Sequence, residues 1–202
     1  MNRKLFAGVA PLLAIAAFAL APAAAQAVPH WYIKGVAVGP AHVTVATKGT
    51  LTLNALGATI VCKVADAEEI WNPVGGGGED LVTAFTLTGC KNKVASAACP
   101  KGALEVKAEG LGWPSRLITT PPPGSVIRDE IVKVRLNVGC AGSSGTVGDV
   151  FEGSLSPEVG NGTLIFGGPG GGTLFDSASN PLTVTGSDKF VGTKGKVTAK
   201  DP

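Results

Sequence analysis

The chain has 202 residues, with 17 Lys and Arg, 15 Asp and Glu, and four cysteines. Two of the 17 basic residues, Arg3 and Lys4, fall in an N-terminal leader that contains no acid, so the remainder balances 15 positive against 15 negative charges. A neutral chain with scattered charges gives no footprint for nucleic acid or an anionic membrane, and a composition rich in Gly, Thr, Val and Pro argues against a helical fold.

In the leader, Arg3 and Lys4 precede an apolar run from Leu5 to Leu20, and the segment closes on Ala25-Gln26-Ala27. A positive region, a hydrophobic region and a small-x-small site in that order predict a secretory signal peptide over residues 1–27, cleaved after Ala27. The apolar run is shorter than the ~20 residues of a spanning helix, so no integral membrane span is expected after cleavage. Residues 28–202 are then read as one monomeric domain. Lys200-Asp201-Pro202 carries no hydrophobic tail. The expected product is secreted or extracellular, either released or held at the cell wall by non-covalent contacts.

His30 to Lys34 opens a first strand, and Val43 to Ala46 and Thr50 to Asn54 follow. Thr59 to Val64 alternates, with Ile60, Cys62 and Val64 on one face. Asp66 to Glu69 reads either as a short helical turn or as a polar continuation of that strand. Asn72-Pro73-Val74 and the glycines Gly75 to Gly78 read as a flexible loop. Leu81 to Thr88 resumes the alternation, and Ala103 to Glu109 repeats it. Arg116 to Thr119 lies between Trp113-Pro114 and Pro121-Pro122-Pro123-Gly124, a setting that suits a sheet edge.

The clearest strand is Ile131 to Cys140, where Val132, Val134, Leu136 and Val138 form a dry face against Lys133, Arg135 and Asn137, with Cys140 on the dry parity. Gly142 to Gly145 is a turn, Asn161-Gly162 a hairpin signal, and short strands continue to Lys196–Ala199. About ten short, mostly antiparallel strands with Gly, Pro and Asn punctuation predict an all-β fold, a β-sandwich or a partly open barrel.

An even number of cysteines in an exported chain predicts two disulfides. Cys62 and Cys140 share the parity of their apolar neighbours, whereas Cys90 lies past Gly89, out of phase with Phe85 and Leu87. The expected pairs are therefore Cys62 with Cys140 and Cys90 with Cys99. No close C-x₂₋₄-C pair exists to hold zinc.

Catalytic motifs are lacking. Gly142-Ser143-Ser144-Gly145 misses the spacing of a nucleophile elbow. The acid pairs Glu68/Glu69, Glu79/Asp80 and Asp129/Glu130 place adjacent carboxyls on opposite faces of a strand, where a glycosidase needs two facing one bond. Of the two histidines, His30 follows Pro29, which has no amide proton for an amino-terminal copper site. Glu79-Asp80 lacks the repeated ligands of a calcium loop. No cofactor, metal or catalytic residue is expected. Trp31, Tyr32, Trp71 and Trp113 stand at apparent strand ends, where rings can stack on a sugar or grip a protein surface. Carbohydrate and an envelope protein are the candidate ligands.

His30-Trp31-Tyr32, Gly49-Thr50-Leu51-Thr52-Leu53, Ile60-Val61-Cys62, Trp71-Asn72-Pro73 and Gly112-Trp113-Pro114, behind a signal peptide, resemble a group of uncharacterised small secreted proteins of high-GC Gram-positive (actinobacterial) soil bacteria. The resemblance implies a bacterial, exported protein and adds no catalytic residue. The expectation is a non-enzymatic binding or structural module at or outside the envelope. The alternative is a secreted hydrolase acting on polysaccharide or cell-wall material.

Overall fold

A computed structural model describes residues 28–55, 57–93, 104–120, 126–142, 145–193 and 195–202. They form strands and no helix: β1 His30–Ile33, β2 Val36–Ala37, β3 Val43–Ala55, β4 Ala58–Trp71, β5 Glu79–Asn92, β6 Leu104–Ala108, β7 Trp113–Thr119, β8 Ile127–Gly142, β9 Gly145–Leu155, β10 Glu158–Val159, β11 Thr163–Phe166, β12 Gly172–Phe175, β13 Pro181–Val191 and β14 Val197–Lys200.

The sheet closes. β3, β4 and β5 pair in sequence, and β8 pairs with β9, while β13 returns to β3 over Leu182↔Ala55 through Val191↔Ala46. Between β5 and β8 the wall is completed by β6 toward one end and β7 toward the other. Between β8 and β13 it is completed by β9 with β12 and by β10 with β11. Since β6/β7, β9/β10 and β11/β12 are consecutive pieces along one direction, the wall is an eight-stranded, antiparallel up-and-down barrel. The all-β, antiparallel expectation holds, and of its two forms the sandwich is corrected and the partly open barrel proves closed. Pairing of the first and last long strands removes the free edges that two stacked sheets would keep. Arg116 to Thr119, expected at an edge, lies in β7 and pairs with β8 throughout, while pairing with β5 reaches only as far as Arg116.

Inside, apolar side chains form two clusters. The larger holds Leu51, Leu53, Ile60, Val64, Phe85, Trp113, Leu136, Phe151, Leu174 and Leu182. The smaller, at the other end, holds Trp31, Val38, Val45, Ile70, Leu117 and Val197. Above the smaller cluster a separate sheet joins the two ends of the described chain, with β1 between β14 and β2. Asn72 fastens it. Its Oδ1 accepts from the Trp31 amide at 2.8 Å, and its Nδ2 donates to the Trp31 and Val38 carbonyls at 2.9 and 2.7 Å. The glycine loop expected to be flexible is strapped beneath this sheet. The Gly78 amide donates to the Pro29 carbonyl at 2.7 Å, and a Cβ at Gly78 would fall 2.6 Å from Leu117 and 2.8 Å from Trp31.

Outward positions carry Lys63, Arg116, Lys133, Arg135, Glu152 and Lys189, all exposed. Polar residues outside and apolar ones inside is the reverse of a lipid-facing barrel.

Three register irregularities decide which residues face in; one, between Ala67 and Glu68 against β5, sets Val82 and Phe85 both inward, and the other two bear on the expected faces. Lys133 has φ +60°, at the point where β8 and β9 slip between Ile131 and Val134. Ile131 and Val134 are both buried, and Val132 is turned to the outer surface, so the expected dry face loses Val132 and gains Ile131. The second slip, between Val61 and Lys63 against β5, sits beside Gly89 at φ +59°. It brings Cys90 into phase with the interior. Cys62 bonds to Cys90 across these neighbouring strands, with Cα atoms 4.1 Å apart. The expected pairs Cys62 with Cys140 and Cys90 with Cys99 are thereby both excluded. Cys99 lies outside the described residues, and no described cysteine, Cys140 included, is free.

Candidate functional site

The three acid pairs organise the wall. In β4, the inward row Ile60, Cys62, Val64 continues through Asp66 and Glu68 to Ile70, so the Asp66 to Glu69 segment is strand and not a helical turn. Glu68 faces in and Glu69 out. In β5, Asp80 faces in and Glu79 out; in β8, Asp129 faces in and Glu130 out. Because side chains alternate along a strand, each pair divides between the two sides.

On the outside, Trp71 pairs with Glu79, Glu79 with Arg116, and Arg116 with Glu130, a single row across four strands. Arg116 holds Glu130 through Nε at 2.9 Å and Nη2 at 2.8 Å. These residues, with Leu81, Pro114 and Val132, line a groove of about 460 Å³. At its rim His42 stacks on Trp71, ring centroids 4.0 Å apart and planes 13° from parallel, while its Nδ1 lies 3.0 Å from Glu69 Oε2. No described hydroxyl or thiol hydrogen-bonds to His42.

The other candidate ligand aromatics divide. Trp31 is wholly buried, edge-on to Phe190 at 6.4 Å, and Trp113 is buried against Phe85 with Nε1 donating to the Glu109 carbonyl at 3.1 Å. Both fill the barrel, which corrects their assignment as ligand contacts. Tyr32 is half-buried on the end sheet, with Lys200 Nζ 5.6 Å from its ring centre. Trp71 alone of the four lines the groove.

On the inside, a belt of polar residues separates the two apolar clusters: Thr47 from β3, Asp66 and Glu68 from β4, Asp80 from β5, Ser115 from β7, Asp129 from β8 and Asp188 from β13. Glu68, Asp80 and Asp129 each direct one oxygen to a common point, all within 4.8 Å of one another. Ser115 Oγ donates to Asp129 Oδ1, and Thr47 Oγ1 to Asp66 Oδ1. Asp188 is held over Gly49, where an added Cβ would fall 2.3 Å from its Oδ1. Burial pushes every one of these carboxyls up: Asp80 and Asp188 to about 7, Asp66 above its ordinary value, and Glu68 and Asp129 well above theirs. Neighbouring carboxylates add to the effect, because like charges at this range resist ionisation together.

The convergence of these acids was not foreseen from the sequence. A readable signal did exist, since Asp66 and Glu68 occupy apolar-parity positions between Val64 and Ile70. Compared with known proteins, the chain matches no family model, no curated protein and no solved structure.

Proposed function

We propose that the chain is an exported, non-enzymatic barrel module that binds a saccharide in the outer groove, at or outside the cell envelope. The observation that carries this reading is the row Trp71, Glu79, Arg116 and Glu130, an aromatic platform followed by charged hydrogen-bonding groups of both signs. Sugars are recognised through apolar ring faces stacked on aromatics and hydroxyls bonded to planar charged groups. The sign balance favours a polyhydroxylated ligand of low net charge. The polar outer wall supports a barrel that works in water, and the leader and disulfide support export. A glycan array and envelope pull-down with the purified protein test the reading. Binding that falls at least tenfold in Trp71→Ala and in Arg116→Ala, with unchanged circular dichroism, is the expected result. No retention on any polysaccharide or envelope fraction would remove it.

The 3.0 Å contact between His42 and Glu69 favours one second reading, a hydrolase acting on the same ligand class. Turnover of a bound polysaccharide that disappears in His42→Ala would select it.

A further inference from the structure

The outer groove leaves unexplained what the inner belt does. Seven carboxylate oxygens there have no hydrogen-bond donor in bonding geometry, both of Glu68, both of Asp80, both of Asp188, and Oδ2 of Asp129, although Asp80 lies close enough to Asp129, and Glu68 to Asp66, to share a proton. Glu68, Asp80, Asp129 and Asp188 are all buried to 1% exposure or less. Bare carboxylates are among the costliest groups to remove from water, and folds that keep them give them a proton, a cationic side chain or a metal ion. No lysine or arginine among the described residues enters the belt. Arg128, the one buried cation among the described residues, donates instead to the Ser156 carbonyl at 2.6 Å.

We propose that Glu68, Asp80 and Asp129 bind one calcium ion inside the barrel. Three residues from three strands present oxygens within 4.8 Å of one another, a span that fits two opposed calcium–oxygen bonds of about 2.4 Å. The hydroxyl of Ser115 takes Asp129 Oδ1, which leaves Oδ2 without a donor, an orienting role of the kind outer-shell groups play around metals. The further indication is that Glu68 and Asp80 each keep both oxygens without a donor while buried to 1% exposure or less, and Asp188 stands beside the three without joining their group. It comes from a fourth strand, β13, is fully buried with both oxygens unpartnered, and sits where Gly49 provides the room.

The chemistry of the donors selects the ion. An all-oxygen, carboxylate-rich set suits hard cations and lacks the nitrogen or sulfur that zinc and copper prefer. Magnesium keeps several of its waters, whereas calcium accepts a cage of six to eight protein oxygens with flexible geometry. A belt sealed between two apolar clusters favours the ion that can shed its water.

The test uses the purified protein, stripped with a chelator and refolded with CaCl₂, MgCl₂ or no divalent ion. Calcium is expected to raise the melting temperature by about 5–10 °C at a hundredfold excess over Kd. Terbium is expected to show luminescence sensitised by the tryptophans, saturating at one equivalent and displaced by calcium. Glu68→Gln and, as a second variant, Asp80→Asn are each expected to fold, by circular dichroism, and to lose the calcium response. The proposal is overturned by no thermal shift at about 10 mM CaCl₂, above the range of weak extracellular sites. It is equally overturned by a magnesium response as large as that to calcium, or by a full calcium response in Glu68→Gln. Saccharide binding through Trp71 is a separate readout, so loss of one result leaves the other standing.

Discussion

Glu79 and Asp80 are neighbours in the chain and lie on opposite sides of the barrel wall, Glu79 exposed in the outer groove and Asp80 sealed in the inner belt. The same division holds for Glu69 and Glu68 and for Glu130 and Asp129. One sequence device, a doubled acid at equivalent depths of three strands, thus furnishes both surfaces. The outer members are solvated and cost little. The inner members must be neutralised, so the interior of this barrel responds to protons and ions in a way its surface does not.

Stability in the presence of a chelator should fall as pH rises from about 4 to 8. Burial raises Asp80 and Asp188 from 3.8 to about 7, so between those values the folded state holds protons that the unfolded state has released. Stability is then complete below about pH 4 and is lost as pH passes 7, the reverse of the usual acid denaturation by salt-bridged carboxylates. A shift of this size in one such group corresponds to a loss on the order of 4 kcal/mol by pH 8. Glu68, Asp129 and Asp66 move in the same direction, while the facing Thr47 and Ser115 hydroxyls carry no charge. Urea midpoints measured from pH 4 to 8 in EDTA check this, and a midpoint that climbs with pH contradicts it.

Peptide mapping without reduction should recover Cys62 joined to Cys90. Replacing both by serine should cost about 3–4 kcal/mol, the chain entropy of a loop of this length, read from the urea midpoint. Recovery of Cys62 joined to Cys140 would mean that the slip beside Gly89 is misplaced.

That slip also shows how far the sequence could be read. Alternation identified the strands of β4, β5 and β8 and placed Cys62, Val64, Val134 and Leu136 inside, because period two persists wherever the backbone stays regular. It fails past a bulge, where one extra residue inverts every later side chain. Val132 and Cys90 change face for that reason: nothing in Lys133 announces its shift, whereas Gly89, a lone glycine within a strand pattern, is a bulge signal that alternation alone passes over. Closure of the barrel was equally hidden. It depends on β3 meeting β13, more than a hundred residues apart, and no local pattern records that pairing. The buried acids were visible as a break in the apolar row of β4, but their meeting point is set by the register of several strands together.

Asn72→Ala should destabilise the protein by about 2–4 kcal/mol and act mainly on the end sheet. The substitution strands the Trp31 amide and the Val38 carbonyl, two backbone groups in a buried setting, each of which costs about 1–3 kcal/mol unless water reaches it, while the Trp31 carbonyl keeps the Val38 amide as donor at 2.9 Å. Because, among the described strands, β14 pairs only with β1 and β1 only with β14 and β2, hydrogen exchange should accelerate first at Trp31, Ile33 and Ala199, before the barrel strands. Uniform acceleration throughout the barrel would show that the end sheet and the barrel open as one unit.

Gly49→Ala tests the seam where the barrel closes. Gly49 lies opposite Asp188, and a Cβ there would fall 2.0 Å from the Ser187 carbonyl oxygen and 2.7 Å from the Asp188 Cα. These are backbone atoms, so relief requires β3 and β13 to part and cannot come from a side-chain rotation. Overpacking of this kind costs about 1–3 kcal/mol. Gly39 has open space around its Cβ position, so Gly39→Ala should stay within about 0.5 kcal/mol of the parent. Chemical denaturation of the two variants side by side supplies the comparison. If Gly49→Ala proves as harmless as Gly39→Ala, β3 and β13 are not in this register, and Asp188 is not delivered to the inner belt.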